Sequence, residues 1–493
     1  MTEISSSSYV LLPLLITLIA PFAVWYFRTN INHRESVSFI AGAATFLSVL
    51  YLVPKVLAGN IYTYTLFTIL PGITVSFAAD GLALIFALVA SFLWIFATSY
   101  NIGYMRSLNE HAQTRYYFCF AVAIFGAMGV AFSANIFTLY LFYEIITVFT
   151  YPLVAHHQDK EAYSGARKYL VYLMGTSKLF LLPAMIMTYV LCGTLDFHLG
   201  DMVQGIFPDD APAHWVVLTY ILYIAGLAKA AIIPLHNWLP SAMVAPTPVS
   251  ALLHAVAVVK AGVFSICRVI LSGFGLETMD SLYLGIPTAY VAAFTIVVAS
   301  IIALTKDDLK ARLAYSTVSQ LSYVVLGVAL LTPLAVAGGT MHIAHHAFSK
   351  ITLFFGAGAI YVATHHKKIS MMSGLGRKMP WTFGAFGIAA LSMIGVPPVA
   401  GFASKWYLIT GAMGAGQIII VFALMASTVL NAAYFGPIIY KAFFEKPVSG
   451  VNLDEYREAP MTMVVPLCLT ATISVILGVY PQIFHQFIAL LGG

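Results

Sequence analysis

Apolar runs of about twenty residues recur almost without interruption along this chain, and that recurrence limits its fold more than any other feature. A helix must be about that long to cross a bilayer, and only helices or closed barrels satisfy their own backbone polar groups there. The 493-residue sequence holds fourteen such runs: 8–27, 37–56, 78–102, 116–133, 135–155, 167–192, 215–240, 248–270, 285–304, 313–331, 336–363, 382–412, 417–443 and 460–482. Charged residues make up 9% of the chain, against about 25% in a soluble domain, which leaves no room for a sizeable aqueous domain. The expected fold class is an all-α polytopic membrane protein with about fourteen transmembrane helices. The N-terminal MTEISSSS has neither a basic region nor a small-residue cleavage site, so the first run is expected to be a retained span.

Charge in the connecting loops orients the spans. Arg28 and Arg34 follow run 1, and Arg106 and Arg115 follow run 3. Lys160, Arg167 and Lys168 follow run 5, and Lys306, Lys310 and Arg312 follow run 9. Lys367, Lys368, Arg377 and Lys378 follow run 11, and Lys441, Lys446 and Arg457 follow run 13. These are 17 of the 24 Lys and Arg, all on alternate loops, and the positive-inside rule puts those loops in the cytoplasm. The opposite loops, such as 196–214 and GLETMD at 275–280, are neutral or acidic. Both termini are therefore expected on the outer, periplasmic side of a bacterial inner membrane. The net charge of +5 is dispersed over short loops and gives no nucleic-acid footprint. The four cysteines, Cys119, Cys192, Cys267 and Cys468, are far apart and form no metal or disulfide pattern.

Seven basic residues remain. Lys55 and Arg268 are near run ends and are expected to snorkel to the interface. Lys178, Lys229, Lys260, Lys350 and Lys405 lie deep in apolar runs, where an ionisable group marks a functional site by default. Two of them, Lys229 and Lys260, lie in the stretch 225–268, which also carries His236, His254 and the prolines Pro234, Pro240, Pro246 and Pro248. Buried charge beside interrupted helix is a recurring way to build an ion site. Glu144, in LYLFYEIITVF, is the one acid at comparable depth, and Lys178 and Lys229 are its candidate partners by depth. At an effective dielectric of about 20, a carboxylate ~4 Å from a lysine would hold its proton by about 4 kcal/mol; separating the pair would release it. A purely structural ion pair is the alternative.

In run 11, His342, His346 and Lys350 are spaced i, i+4, i+8 and share a helical face of about 12 Å. Such a stripe can pass protons. A zinc site on the histidines is the competing reading, although no acid or cysteine in the run completes it. His254 and Lys260 are six residues apart, about 120° around a helix, and need not share a partner. Run 12 contains Gly395, Pro397, Pro398 and Gly401 with Lys405 just beyond, as run 7 has Lys229 just before Pro234. Two interrupted spans five positions apart, each with one buried lysine, suggest inverted repeats. The expected organisation is helices 1–3 over 1–115, repeat one over 116–270, repeat two over 271–443 and a last helix over 444–493.

At these residues the chain resembles the antiporter-like subunits of respiratory complex I and of the multisubunit Mrp-type sodium/proton antiporters. The matching segments are YEIITVFTYPL (143–153), GLAKAAIIPLHNWLPSAMVAPTPVSALLHA (226–255), KDDLKARLAYSTVSQLSYV (306–324), HHAFSKITLFFGAG (345–358), GLGRKMP (374–380) and GVPPVAGFASKW (395–406). The resemblance implies fourteen helices, two inverted five-helix repeats and broken helices 7 and 12. It also implies a proton relay in which Glu144 partners Lys229, His254 and Lys260 act on helix 8, His346 and Lys350 continue along helix 11, and Lys405 ends the row on helix 12. Lys178, His342 and Lys310 are accessory candidates. TVSQ and LLHAVAVVKAG look most like the largest antiporter-like subunits, whereas the chain's size is nearest the Mrp D subunit.

The expected function is translocation of protons, with Na+ as a second candidate ion, by a membrane subunit of an Mrp-type, complex I-like or hydrogenase-like assembly. No GxGxxG after a strand and no cysteine motif is present, so no cofactor is expected, and any redox chemistry would belong to partner subunits. A self-sufficient cation/proton antiporter and a membrane metalloenzyme using the histidines of run 11 are the alternatives.

Overall fold

The computed structural model describes residues 3–447 and 453–490. The helices, in chain order, are α1 (Ser8–Tyr26), α2 (Ile31–Leu57), α3 (Gly81–Ser107), α4 (Gln113–Ala131), α5 (Ile136–Val154), α6 (Lys160–Cys192), α7 (Ala213–Gly226), α8 (Thr247–Ser281), α9 (Gly285–Leu304), α10 (Leu309–Ala329) and α11 (Pro333–Thr364). They continue with α12 (Pro380–Ile394), α13 (Ala400–Gly414), α14 (Ile418–Phe444), α15 (Met461–Val479) and the short α16 (Gln482–Ala489). Among the described residues, eleven helices are long and apolar enough to cross a membrane. The chain is a multi-pass helical membrane protein. Helices α7 and α12 are apolar but short, because each stops at a break inside a run that the sequence reads as one span.

Burial separates helices that face lipid from helices that are enclosed. On α2, α6 and α14, residues such as Leu47, Val190 and Phe422 are exposed, and an apolar side chain pointing outward suits a hydrocarbon solvent. Helices α8 and α11 are buried on every side over residues 247–275 and 335–360, α11 lying against α3, α8, α10, α12, α13 and α15. A helix apolar all round belongs in such a core. The polar side chains of α8 and α11 therefore lie at the centre of the protein.

The basic loops do meet at one end of the bundle, as their charge pattern predicts. Arg34 donates to Gln113 Oε1 (2.8 Å) and Thr114 Oγ1 (3.0 Å), Arg106 pairs with Glu35, and Ser370 Oγ donates to Asp307 (2.8 Å). At the other end the chain departs from an all-helical reading. Residues between runs 2 and 3 form a hairpin of β2 (Asn60–Leu70) and β3 (Ile73–Ala79), to which β1 (Glu3–Ser6) adds in parallel. NIYTYTLFTIL and ITVSFAA have the β-branched and aromatic alternation of strands, joined by Pro71-Gly72 with Gly72 at φ +76°. Asn135 fastens the hairpin to the helices. Its side chain caps α5 by accepting from Thr138 N (2.7 Å), and its amide donates to Ser76 Oγ (2.7 Å).

Candidate functional site: a buried row of cations

Helices α8 and α11 bring Lys260 and His346 into direct contact, Nζ to Nδ1 2.7 Å. One turn along α11, Lys350 donates to Ser316 Oγ of α10 (2.9 Å). One turn back, His342 bonds Ser404 Oγ of α13 (2.8 Å) and Gln320 Oε1 of α10 (3.0 Å), with its ring centroid 5.9 Å from that of His346. The i, i+4, i+8 face expected from the spacing is thus real, and each of its three residues reaches a different neighbour. His254 is fully buried against the Phe354 ring (centroids 4.7 Å apart), and neither ring nitrogen has a hydrogen-bond partner. It lies in a π-helical turn, Leu252–Val256, an irregularity that favours functional positions and that a uniform-helix count of 120° overlooks.

The two helix interruptions hold their lysines differently. Helix α12 ends at Ile394 with Gly395 in the left-handed region (φ +91°), which leaves its last carbonyls free. Lys405 of α13 turns back onto them, Nζ to Met393 O 2.7 Å and to Ile394 O 2.9 Å. Carbonyls at a helix C-terminus are a favourable place for a cation. Helix α7 breaks at Gly226, earlier than Pro234 suggests, so Lys229 sits in a 3₁₀ turn, Ala228–Ala230, outside any regular helix. Its ammonium donates to Tyr143 O (2.7 Å) and Thr147 Oγ1 (2.7 Å) of α5 and lies 3.0 Å from the Tyr143 ring centroid. Gly262 of α8 makes room for this turn, since a Cβ there would be 2.4 Å from Lys229 C.

Two expectations need correction, and one competing reading finds no support. The cation within ion-pair distance of Glu144 is Lys178 (3.3 Å), which also donates to Tyr140 Oη (2.5 Å). Lys229 makes its hydrogen bonds to α5 around Glu144, and not to the carboxylate. Arg268 does not snorkel. It is fully buried and forms a two-pronged pair with Asp80 (2.5 and 2.8 Å), the residue that caps α3. The histidines of α11 do not converge with a third metal ligand; among the described residues, the one group that could hold a metal lies elsewhere, at Glu110, His111 and His156.

Several polar residues that motif and depth did not single out complete the row. Tyr434 Oη donates to Asn431 Oδ1 and is hydrogen-bonded to the Ser316 hydroxyl (3.0 Å), which supplies the proton of that second bond, and Asn431 Nδ2 donates to Met393 O (3.1 Å). The same Met393 carbonyl receives Lys405, so Lys350 and Lys405 are joined through Ser316, Tyr434 and Asn431. The available signal was polar residues at i, i+3 or i+4 inside apolar helices, Asn431 with Tyr434 and Ser316 with Gln320.

A cavity of about 630 Å³ opens at the basic end of the bundle between α3, α6, the chain after α7, α10 and α11. Glu110, Asp159, Glu161, Asp308 and Lys310 are on its walls, and Lys310 donates to Ala245 O (2.5 Å). Thr247, also on the wall, is the first residue of α8 and lies about two helical turns from His254.

A membrane-embedded helical bundle with interrupted helices and a buried lysine–histidine row is the architecture of the antiporter-like class. The match of residues 133–431 to the NADH:quinone oxidoreductase/Mrp antiporter transmembrane family identifies the group more closely, and the chain belongs to that family. It is 32% identical to NADH-quinone oxidoreductase subunit N of Desulforudis audaxviator over 495 aligned residues, covering 96% of each chain. In fold it resembles a chain of the Mrp complex of Dietzia sp. (TM-score 0.84, 21% identity, covering 97% of this chain and 96% of that one). It also resembles a chain of an archaeal membrane-bound sulfane sulfur reductase (TM-score 0.85, 26% identity, covering 98% and 97%).

Proposed function

We propose that this chain is a proton-translocating membrane subunit of a multisubunit complex. The observation that carries the reading is the row of buried bases, Lys260 against His346 and Lys350 linked to Lys405 through Ser316, Tyr434 and Asn431. Ammonium and imidazole groups can each give up and regain a proton in place. A path lined with them can hand a proton from one base to the next. Neutral acceptors hold these groups without fixing their charge, which a relay requires. The full row runs Glu144, Lys229, His254, Lys260, His346, Lys350, Lys405, with Lys178, His342 and Lys310 as accessories.

The broader arrangement follows the same reading. Helix α7 with the irregular stretch after it, and α12 with α13, each act as one interrupted span, and α10 is a further span, giving fourteen crossings arranged as repeats over 116–270 and 271–443. The basic end faces the cytoplasm, and the cavity between Glu110 and Thr247 is the access route from that side. The assembly is of the Mrp, complex I or hydrogenase type, consistent with the multisubunit respiratory and antiporter complexes to which the relatives belong.

The decisive experiment is Lys229→Ala in the parent complex reconstituted into vesicles. Proton transport should vanish while the subunits still co-purify. Transport at the normal rate in a correctly assembled mutant complex would remove the central residue of the proposal.

A further inference from the structure

At the mouth of the cavity the loop between α3 and α4 meets the end of α5. There the donor atoms of Glu110, His111 and His156 all lie within 4.8 Å of one another. His156 Nε2 is 3.5 Å from Glu110 Oε2, and His157 Nδ1 approaches the same oxygen at 3.7 Å. Ligand atoms around a tetrahedral Zn2+ are about 3.3–3.5 Å apart, given metal–nitrogen bonds of ~2.0–2.1 Å. The His156–Glu110 spacing is therefore close to the required value, the His157–Glu110 spacing is slightly longer, and exposed His111 is within 4.8 Å of both Glu110 and His156.

The histidine at the back of the cluster is the second, independent observation. The His156 side chain is fully buried (0% exposed); its Nδ1 makes no hydrogen bond, and its Nε2 faces the Glu110 carboxylate at 3.5 Å. That contact is long for a hydrogen bond, and a metal ion between Nε2 and the carboxylate would satisfy both. The nearby guanidinium of Arg115 is turned to the His156 carbonyl (3.0 Å), so its nearest hydrogen-bond partner is backbone and not a ligand atom. The set of two or three imidazoles with one carboxylate is borderline-hard and suits Zn2+ or a similar first-row divalent ion better than Mg2+ or Ca2+, which favour oxygen cages.

We propose that Glu110, His111 and His156, with His157 as a fourth ligand, form a binding site for a divalent transition-metal ion of the Zn2+ class. The bound ion ties the α3–α4 loop to the end of α5. Because Glu110 and His157 also line the cavity, the ion sits on its rim.

The test uses the full chain within its purified complex, stripped by chelator and titrated with Zn2+ by calorimetry, with metal content measured after dialysis. Co2+ in place of Zn2+ adds the visible ligand-field absorption of a tetrahedral site. One equivalent should be retained by the wild-type chain. Outer-shell changes alone cost about 10–100-fold in metal affinity, so loss of a direct ligand in His111→Ala or Glu110→Gln should cost at least ~10-fold. His111 is exposed, so His111→Ala tests the site without disturbing the core, and with both proteins metal-free its thermal midpoint should match that of the wild type. No retained equivalent in the wild type overturns the proposal. So does retention that is unchanged in both variants, which would mark an adventitious ion only. Binding is read without any transport assay, so a negative result here leaves the relay through Lys229 standing, and failure of the relay leaves this site standing.

Discussion

The protein buries two kinds of charge, and they are held in opposite ways. Arg268 on α8 meets Asp80 at the start of α3 in a two-pronged pair with both side chains out of solvent. Eight residues earlier on the same helix, Lys260 meets only the neutral-capable ring of His346, and Lys350 and Lys405 meet a hydroxyl and two carbonyls. A guanidinium does not lose its proton in a protein, and with a carboxylate beside it the pair is electrically closed. A lysine beside neutral acceptors has no counter-charge to fix its state. The first arrangement fastens α8 to α3. The second leaves the charge of the row free to change, and burial alone does not distinguish the two.

This contrast is most directly broken by comparing stability with transport. Arg268→Ala leaves the Asp80 carboxylate buried and unpaired, which costs about 3–5 kcal/mol. The variant should unfold at much lower temperature or denaturant, and Asp80→Ala in the same chain should restore most of the loss. Lys260→Met, in contrast, removes a buried charge that has no acid partner. It should abolish transport and leave the unfolding midpoint near or above that of the wild type. If Lys260→Met were as unstable as Arg268→Ala, the row would be structural and the contrast would collapse.

The sequence shows the row more readily than it shows the pair. Lys260, Lys350 and Lys405 interrupt long apolar runs, and no local feature explains them except function, so they stand out. Arg268 lies at the end of run 8, where a long basic side chain ordinarily reaches the interface. Its true depth appears only because α8 continues through a second π-helical turn, Val269–Phe274, to Ser281. Asp80 reads as the start of run 3 and is indeed the cap of α3, but its second role depends on a partner 188 residues away. The pairing of Glu144 is illegible for the same reason. Depth offers Lys178 and Lys229 equally, and the choice is made by the turn that carries Lys229 away from a regular helix. The hairpin of β2 and β3 was legible in principle from its alternating β-branched residues, but an apolar strand beside apolar spans is hard to distinguish from a span end.

The link between Lys350 and Lys405 offers a finer test of the contrast, because it consists entirely of neutral groups. Tyr434→Phe removes the hydroxyl that joins Ser316 to Asn431 while the ring stays in place. One hydrogen bond of this kind is worth about 0.5–1.5 kcal/mol, which as a barrier corresponds to roughly a 2- to 10-fold slower rate. Proton transport measured in vesicles should fall by that factor without loss of assembly. An unchanged rate would mean that protons pass from Lys350 to Lys405 by another route, such as His342 and Ser404 (2.8 Å).

The smallest effect is expected where the two kinds of charge meet, at Glu144. Its partner Lys178 is 46% exposed on α6, and on a lipid-facing helix its ammonium can snorkel along its stem toward water, so the pair is less enclosed than that of Arg268 and Asp80. Lys178→Met should therefore disturb unfolding less than Arg268→Ala and slow transport less than about fivefold, the equivalent of ~1 kcal/mol. Glu144→Gln should slow transport more, because it also removes the negative charge from the helix that supplies both acceptors of Lys229. A double-mutant cycle isolates the coupling between Glu144 and Lys178. A coupling near zero in transport, with a large loss for Glu144→Gln alone, assigns the carboxylate to the relay with Lys229. Equal losses for both single variants and their combination would instead make Glu144 and Lys178 a closed pair in the manner of Arg268 and Asp80, and would start the relay at Lys229.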